Sequence, residues 1–314
     1  MAISIIIPST GERVGILIET ISAALAALHE IDGEIIVIKN EAKTINITHP
    51  KLKVVNVDFN NVSASRNKGA AVAAYDLLCF IDDDMLVSGD NMHRFINFAV
   101  QHATPYLLTA VWVHSSRVNA LKETTLLGQM LALHLPNDSF KTRYNNVSKT
   151  AEWQDDRRFK SSMKTTFWEA CFSMRRNDYL RVGGMNEFFD FGNEGTEFLK
   201  RALEGGLEYY VDPTNVIVHN EWDKFNDWSI PEKRWRTEAR LVNDGKISIS
   251  YPAKMYLHKV IYGVLIYAFR IPLRAVLRNA PANNKHAHLY FKLFDIYSTS
   301  IYWHQIAWSV IGKS

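Results

Sequence analysis

Residues 77–85 read Leu-Leu-Cys-Phe-Ile-Asp-Asp-Asp-Met, five apolar residues followed at once by three carboxylates. A short apolar run bounded by polar residues predicts a strand buried on both faces of a sheet. Its carboxyl end is where ligands of an open α/β sheet collect. Ionised carboxylates crowded together repel one another, and an oxygen-preferring divalent cation, Mn²⁺ or Mg²⁺, relieves that repulsion. Such a cation keeps positions open for a pyrophosphate. Three aspartates would also suit a solvated turn or a helix start, where Asp is favoured. The buried strand ahead of them favours a site.

Around this stretch the first half of the chain alternates strand and helix patterns. Ile3 to Ile7 is a β-branched run. Val14 to Leu28 carries Ile16, Leu17, Ile21, Ala24, Leu25 and Leu28 at helical spacing. Strands are expected at Glu34 to Ile38 and Leu52 to Val57, and an Ala-rich helix over Val62 to Tyr75 leads into the strand before Asp82. This order predicts a parallel sheet with right-handed crossovers, a nucleotide-binding architecture. No G-x-G-x-x-G or G-x-x-x-x-G-K-[ST] occurs in the strand-to-helix turns, which argues against a dinucleotide fold and a P-loop NTPase.

A chain of 314 residues fits one large α/β domain, or a domain with an appendage. With 47% hydrophobic and 22% charged residues, neither disorder nor a fibrous repeat is indicated. A net charge of +3 without one long basic run gives no reason to expect nucleic acid as a partner. Cys79 and Cys171 lie in apolar surroundings and read as reduced core residues. Met-Ala-Ile-Ser-Ile-Ile-Ile-Pro lacks the charged start and long apolar region of a signal peptide, so a cytoplasmic location is expected. The Asn-x-Ser/Thr triplets at Asn46, Asn61, Asn137 and Asn146 then carry no glycan message.

Ile-Ile-Ile-Pro-Ser-Thr (5–10), Glu-Ile-Ile-Val-Ile (34–38), Ser-Arg-Asn-Lys-Gly (65–69) and Phe-Ile-Asp-Asp-Asp (80–84) are each weak signals. Their joint order and spacing resembles a family 2 glycosyltransferase of the GT-A fold. The resemblance covers roughly residues 2–220 and implies an α/β fold with a mostly parallel central sheet flanked by helices. A transferase domain over 1–250 is expected, split into a nucleotide-sugar-binding half (1–114) and an acceptor half (115–250), and the pattern beyond it reads as a C-terminal helical appendage over 251–314. Pro8, Ser9 and Thr10 would line the nucleoside, and Arg66 and Asn67 would support it and the phosphates. Asp82 and Asp84 would form the D-x-D element. Asp84 would reach an Mn²⁺ or Mg²⁺ ion, with Asp82 beside it, and Asp82 and Asp83 would lie near ribose and phosphates.

The chemistry has physical reasons of its own. A departing nucleoside diphosphate gains negative charge, and a cation fixed beside it stabilises that charge where it develops. Arg66 offers a planar bidentate donor for phosphate or carboxylate, although a surface helix charge would look the same. Gly69 would permit close helix-to-strand approach. Ser9 and Thr10 would also serve as helix caps.

Beyond a helix at Asn91 to Gln101 and a strand at Tyr106 to Val113, residues 115–164 show no clear alternation. Leu126 to Leu135 suits a helix, and Arg143, Lys149, Arg157, Arg158, Lys160 and Lys164 make the segment basic. Thr165 to Arg176 resembles the family's strand along the acceptor cleft, which would place Trp168 and Glu169 on the acceptor side. Gly-Gly-Met-Asn-Glu-Phe-Phe (183–189) is similar to the turn before the catalytic carboxylate. Asn193-Glu194-Gly195-Thr196-Glu197 then occupies the place of the family's Glu-Asp pair, and here the chain departs: the expected Asp at 195 is glycine. Inverting transfer needs a carboxylate to take the acceptor hydroxyl's proton, which glycine cannot do. Glu194 is the first choice, with Glu197 and Glu169 as rivals. Glu194 and Glu197 would equally serve as helix-start carboxylates.

A second departure follows strand two, where Lys39 and Asn40 replace the Asp that usually reads the nucleobase. Lys39 is a donor only, whereas Asn40 can accept. Further on, Leu207 to Val211 and Asn215 to His219 read as two short strands, and His219 stands where such enzymes often contact metal or phosphate. Trp222, Trp228 and Trp235 would stack on sugars or pack.

Val260 to Phe269 is apolar but too short to span a bilayer, which takes ~20 residues. Arg270, Arg274 and Arg278 follow at a spacing of four. An interfacial segment over 252–280, peripheral on the inner face of a membrane, explains this combination, as does a helical pair covering the domain. The expected activity is metal-dependent, inverting transfer of a sugar from a nucleotide-diphospho-sugar to a hydroxyl of a saccharide or lipid-linked saccharide. Two alternatives are a non-catalytic nucleotide-sugar-binding relative and a Mg²⁺-dependent haloacid-dehalogenase-like phosphatase. The phosphatase would want Thr or Val at position 86, where Leu86 stands, and its aspartates on the first strand.

Overall fold

In the computed structural model of the chain, the described residues are 1–40, 45–125, 152–153, 159–161, 167, 169–188, 194–225 and 267–279, with 289, 293, 297, 300, 301 and 304. Two compact units arise: Met1–Ser115 with Asn137–Glu221, and Ser116–Pro136 with Trp222–Ser314. The boundary expected at 250 lies outside the described residues.

The first unit holds β1 (Ile3–Ser9), α1 (Val14–Ala27), β2 (Gly33–Asn40), β3 (Leu52–Val57), α2 (Val62–Val72), β4 (Leu77–Ile81), β5 (Met85–Leu86), α3 (Gly89–Gln101) and β6 (Tyr106–His114). It continues with β7 (Glu152–Trp153), β8 (Phe159–Ser161), β9 (Cys171–Arg175), α5 (Arg176–Arg181), α6 (Glu194–Glu204) and β10 (Glu208–His219). One sheet runs β3-β2-β1-β4-β9-β6-β10-β8-β7, with β5 paired to β10. The expected parallel order holds from β3 to β4. Beyond it the sheet is mixed, because β9 enters antiparallel between β4 and β6.

Side chains alternate across a strand, and β1 shows what that does here. Ile3, Ile5 and Ile7 pack with Leu17 and Ile21 of α1 and Phe95 and Phe98 of α3. Ile6 joins Phe80, Phe172 and Phe198 in the core on the other face. A buried run with no polar alternation is therefore what a strand covered on both sides requires. On α2 the spacing is so close that a Cβ at Gly69 would overlap Ile6 Cγ2, which explains the glycine. Ser88 caps α3 in a reciprocal arrangement with Asn91.

The two strands expected at 207–211 and 215–219 are one strand, β10, whose register against β6 shifts between Asp212 and Val216. Asp212 Oδ1 accepts from the Thr214 and Asn215 N–H groups at 2.9 and 3.2 Å, a local turn that absorbs the extra residues.

The second unit contains α4 (Ser116–Thr124), a 3₁₀ turn (Trp222–Phe225) and α7 (Arg270–Asn279). The Arg117 guanidinium lies 3.7 Å from the Trp222 ring centroid, so this tryptophan packs against a cation. Tyr267 stacks on His304. No helix among the described residues is long and apolar enough to cross a membrane. The helix expected at 126–135, Trp228, Trp235 and most of the 260–269 run lie outside the described residues.

Candidate active site

Parallel pairing lines up the carboxyl ends of three strands. Ser9 lies opposite Lys39, and Ile6 opposite Phe80, so β1, β2 and β4 end in one row that holds Pro8, Ser9, Lys39 and the aspartates. Ser9 Oγ donates to Asp83 Oδ2 at 2.7 Å and accepts from the Gly11 N–H at 3.1 Å, so it anchors the row rather than capping α1. Thr20 Oγ1 donates to the Asp83 carbonyl at 2.8 Å. Arg13 reaches Asp83 Oδ1 at 3.2 Å and Asp84 Oδ2 at 3.0 Å. Burial and then the Asp84 charge push the Asp83 carboxyl up to about 6, against the pull of Arg13 and Ser9.

After Asp84 the chain reverses into β5, which pairs antiparallel with the end of β10, Met85 opposite His219. That pairing sets His219 Nε2 3.2 Å from Asp84 Oδ1, and the Asn220 N–H donates to the Asp84 carbonyl at 2.7 Å. β10 also runs parallel to β6 with His219 opposite His114. Glu221 lies between the two rings, Oε1 at 3.2 Å from His114 Nε2 and Oε2 at 3.5 Å from His219 Nε2. His114, His219 and Glu221 offer donor atoms within 4.8 Å of one another. Two buried imidazoles and a partly buried carboxylate so close together fit a divalent cation. The nitrogen ligands suit Mn²⁺ better than Mg²⁺, which prefers oxygen alone.

A second group forms behind Asp82. Because β9 is antiparallel to β4, residues just before β9 sit beside the end of β4, and the Asp82 N–H donates to the Ala170 carbonyl at 2.9 Å. Arg66 is 1% exposed, which excludes a surface charge. Its Nη2 donates to Asp82 Oδ1 at 2.7 Å and to the Glu169 carbonyl at 3.3 Å. Burial opposes its charge, but Asp82, Glu169 and Glu194 outweigh that and raise its pKa. Glu194 opens α6 and is buried. Glu169 reaches the same helix start, its carboxylate lying against Gly195. Burial and then the Glu194 charge raise the Glu169 pKa to about 8, with Arg66 opposing.

The structure thus gathers Ser9, Asp83, Asp84 and His219 in one cluster, and Arg66, Asp82, Glu169 and Glu194 in the next. Other expected site residues are engaged elsewhere. Glu197 is held by both Arg201 Nε and Nη2, at 2.6 and 2.8 Å. Asn67 is tied to the turn after α5, accepting from Tyr179 Oη and the Met185 N–H and donating to the Met185 carbonyl. Asn40 Nδ2 donates to the Phe59 carbonyl and Lys39 Nζ to the Asn40 carbonyl, each at 3.2 Å. Thr10 is exposed and accepts from the Glu12 N–H. Trp168 lies outside the described residues.

Arg13, Thr20, His114 and Glu221 escaped sequence reasoning. His114 had a legible signal, since Val111-Trp-Val-His114 and Val216-Ile-Val-His219 repeat one pattern, and the two stretches pair residue for residue. Arg13 had none, being a charge next to Glu12 in the turn before α1.

The family model described as Glycosyl transferase family 2 matches residues 4–181. No curated protein sequence matches the chain. Among solved structures, the mannosyltransferase PcManGT from Pyrobaculum calidifontis, in complex with GDP-Man and Mn²⁺, is similar at 14% identity over 99% of this chain and 87% of that one, with a TM-score of 0.52. S. aureus TarS 1–349 is similar at 14% identity over 99% and 92%, with a TM-score of 0.48. The catalytic domain of Drosophila β1,4-galactosyltransferase 7, in complex with xylobiose, matches at 16% identity over 67% of this chain, with a TM-score of 0.38. The chain spans 64% of that domain, less than two thirds. At such identities the likeness to PcManGT bears on the fold alone.

Proposed function

The chain belongs to glycosyltransferase family 2, and from that premise we propose that it moves a sugar, with inversion, from a nucleotide-diphospho-sugar to a hydroxyl of a saccharide or lipid-linked saccharide. The carrying observation is the pair His219 Nε2 and Asp84 Oδ1, 3.2 Å apart at the row of strand ends that also holds Ser9, Lys39 and Asp82. The nucleoside would lie along Pro8, Ser9, Thr10, Lys39 and Asn40, and the diphosphate beside Asp82 to Asp84. Arg66 and Asn67 act from behind, Arg66 by fixing Asp82 and Asn67 by holding the turn at Met185.

Asp84 and His219, with Asp82 nearby, would hold Mn²⁺ or Mg²⁺. When bound, the cation supplies positive charge for the departing diphosphate. The protein's own part is to bury these donors and orient them: Arg13 and Ser9 fix Asp83, and Glu221 ties His219 to His114. The acceptor would approach from the side of Trp168 and Glu169, and the proton would pass to one of the carboxylates gathered there, Glu194 or Glu169. The N-terminal half through 114 then serves the donor and residues 115–250 the acceptor.

The phosphatase alternative loses its ground, since the aspartates follow the fourth strand of the chain rather than the first. For 252–280 we propose peripheral contact with the inner face of a membrane. Exposed Phe269, Ile271 and Val276 around α7 support it, together with arginines spaced by four.

Calorimetry with UDP and GDP, with and without Mn²⁺, tests the reading. One nucleotide should bind in the presence of Mn²⁺, and Asp84→Ala should abolish that metal-dependent part. Equal binding by the variant removes Asp84 from the metal role, and binding of neither nucleotide by the wild type sinks the proposed function.

A further inference from the structure

Glycine at 195 has a spatial cause. A Cβ built there would overlap Glu169 Oε2, stand 2.7 Å from that carboxyl carbon and 3.0 Å from Phe167 Cδ1. The volume that a side chain at 195 would fill is already filled by the carboxylate of Glu169, brought in from the residues leading into β9. Three features tie this group to the donor site. The Arg66 Nη2 that binds Asp82 also binds the Glu169 carbonyl. The next residue, Ala170, accepts from the Asp82 N–H. Gly195, at the first turn of α6, lies against the Glu169 carboxylate.

We propose that Glu169 is the proton-accepting catalytic carboxylate, set by tertiary structure in the place that Gly195 leaves without one. The proposal deepens the glycosyl-transfer reading and rests on it. In the step, the acceptor hydroxyl oxygen bonds to the anomeric carbon. The bond to the diphosphate oxygen breaks, and its electron pair leaves with the nucleoside diphosphate. The hydroxyl proton goes to the Glu169 carboxylate, and from there to solvent. Arg66, Glu194 and Asp82 are the charged groups facing Glu169. Burial and the Glu194 charge strengthen it as a base, while Arg66 limits that rise so that an ionised fraction persists near neutral pH. Glu197 cannot take this part while Arg201 holds both its oxygens.

The test is nucleoside diphosphate release from UDP-glucose, UDP-N-acetylglucosamine and GDP-mannose with Mn²⁺, water serving as acceptor, alongside thermal melting. Glu169→Gln should slow release by ~100-fold while nucleotide affinity is kept. Glu169→Ala should be inactive, and Glu169→Ala with Gly195→Asp should regain part of the rate, because the carboxylate returns from the other side. Gly195→Ala should lower the melting temperature when Glu169 is present and far less when it is Ala. Release by a folded Glu169→Gln at the wild-type rate overturns the assignment, as does a Gly195→Ala effect on melting that ignores residue 169. If the wild type binds none of the donors, glycosyl transfer itself fails and this proposal with it. If it binds and turns one over but only Glu194→Gln slows release, the proposal alone falls.

Discussion

His114 and His219 end two parallel strands at the same level, their ring centroids 5.7 Å apart and their planes 14° from parallel. Only His219 also meets Asp84, so His114 acts at one remove, through Glu221. The expected Asp84–His219 pair is therefore one edge of a larger buried network.

Partners that orient a metal ligand typically matter by 10–100-fold in affinity. Glu221→Gln and His114→Ala should each weaken Mn²⁺ binding by about that factor in calorimetry. Nucleotide binding measured in EDTA should not change. An unaltered Mn²⁺ affinity in both variants would detach this network from the metal.

Removing Arg66 would take away the guanidinium that pairs with Asp82 at 2.7 Å and would open a cavity where that fully buried group now packs. Breaking a buried pair from one side costs roughly 3–5 kcal/mol, and Asp82, a third exposed, brings the expectation for Arg66→Met to the lower end. Urea unfolding followed by circular dichroism reads this directly. A loss under about 0.5 kcal/mol, ordinary for a surface change, would mean that Arg66 is not the buried post described.

At Gly69 the argument is steric. An added methyl meets Ile6 Cγ2 on the adjacent strand, and overpacking of this kind costs about 1–3 kcal/mol. Gly69→Ala should therefore unfold at lower urea concentration with an unchanged m-value, whereas a helix-propensity gain would have stabilised it.

Glu169 makes stability depend on pH in a definite direction. Its folded-state pKa, about 8, lies above the ordinary 4.5, so between those values the folded state keeps a proton that the unfolded chain has lost. This contribution is fully present below pH 4.5 and is lost as pH rises toward 8. Glu169→Gln has no such proton to lose. Its melting temperature should fall less than that of the wild type between pH 6 and pH 8.5, and parallel curves would contradict the burial of this carboxyl.

Membrane contact is open to charge reversal. Arg270→Glu with Arg274→Glu should abolish flotation with vesicles of phosphatidylcholine and phosphatidylglycerol, because each basic residue near an anionic surface contributes ~1 kcal/mol. A wild type that stays at the bottom of the gradient ends the idea.

Some of this was legible in linear order because the causes are local. Five apolar residues before Asp82 mark a strand covered on both faces, helical spacing marks α1, and a small residue in Ser-Arg-Asn-Lys-Gly marks the close packing of α2 on β1. Asp84 and His219 were each visible as polar residues at strand ends. Thr10, Asn67 and Glu197 were also marked as site residues. Thr10 bonds to the nearby Glu12 N–H and Glu197 pairs with Arg201 four residues on, whereas Asn67 bonds to Tyr179 and Met185, more than a hundred residues away in the chain. Residue type and spacing do not reveal which partner a side chain finds.

The amino-acid order alone settled the buried strand, the acidic turn that ends it and the parallel sheet from β3 to β4, since each depends on residues close together in the chain. Tertiary structure decided the rest: the reversal through β5 that sets His219 against Asp84, the β6–β10 register that adds His114, and the antiparallel entry of β9 that carries Glu169 to Gly195. The physical reason is that pairing partners and registers are chosen by the packing of the whole sheet. Which carboxylate fills the space at the start of α6 is then a question of volume, and the glycine at 195 is intelligible only once Glu169 is seen standing there.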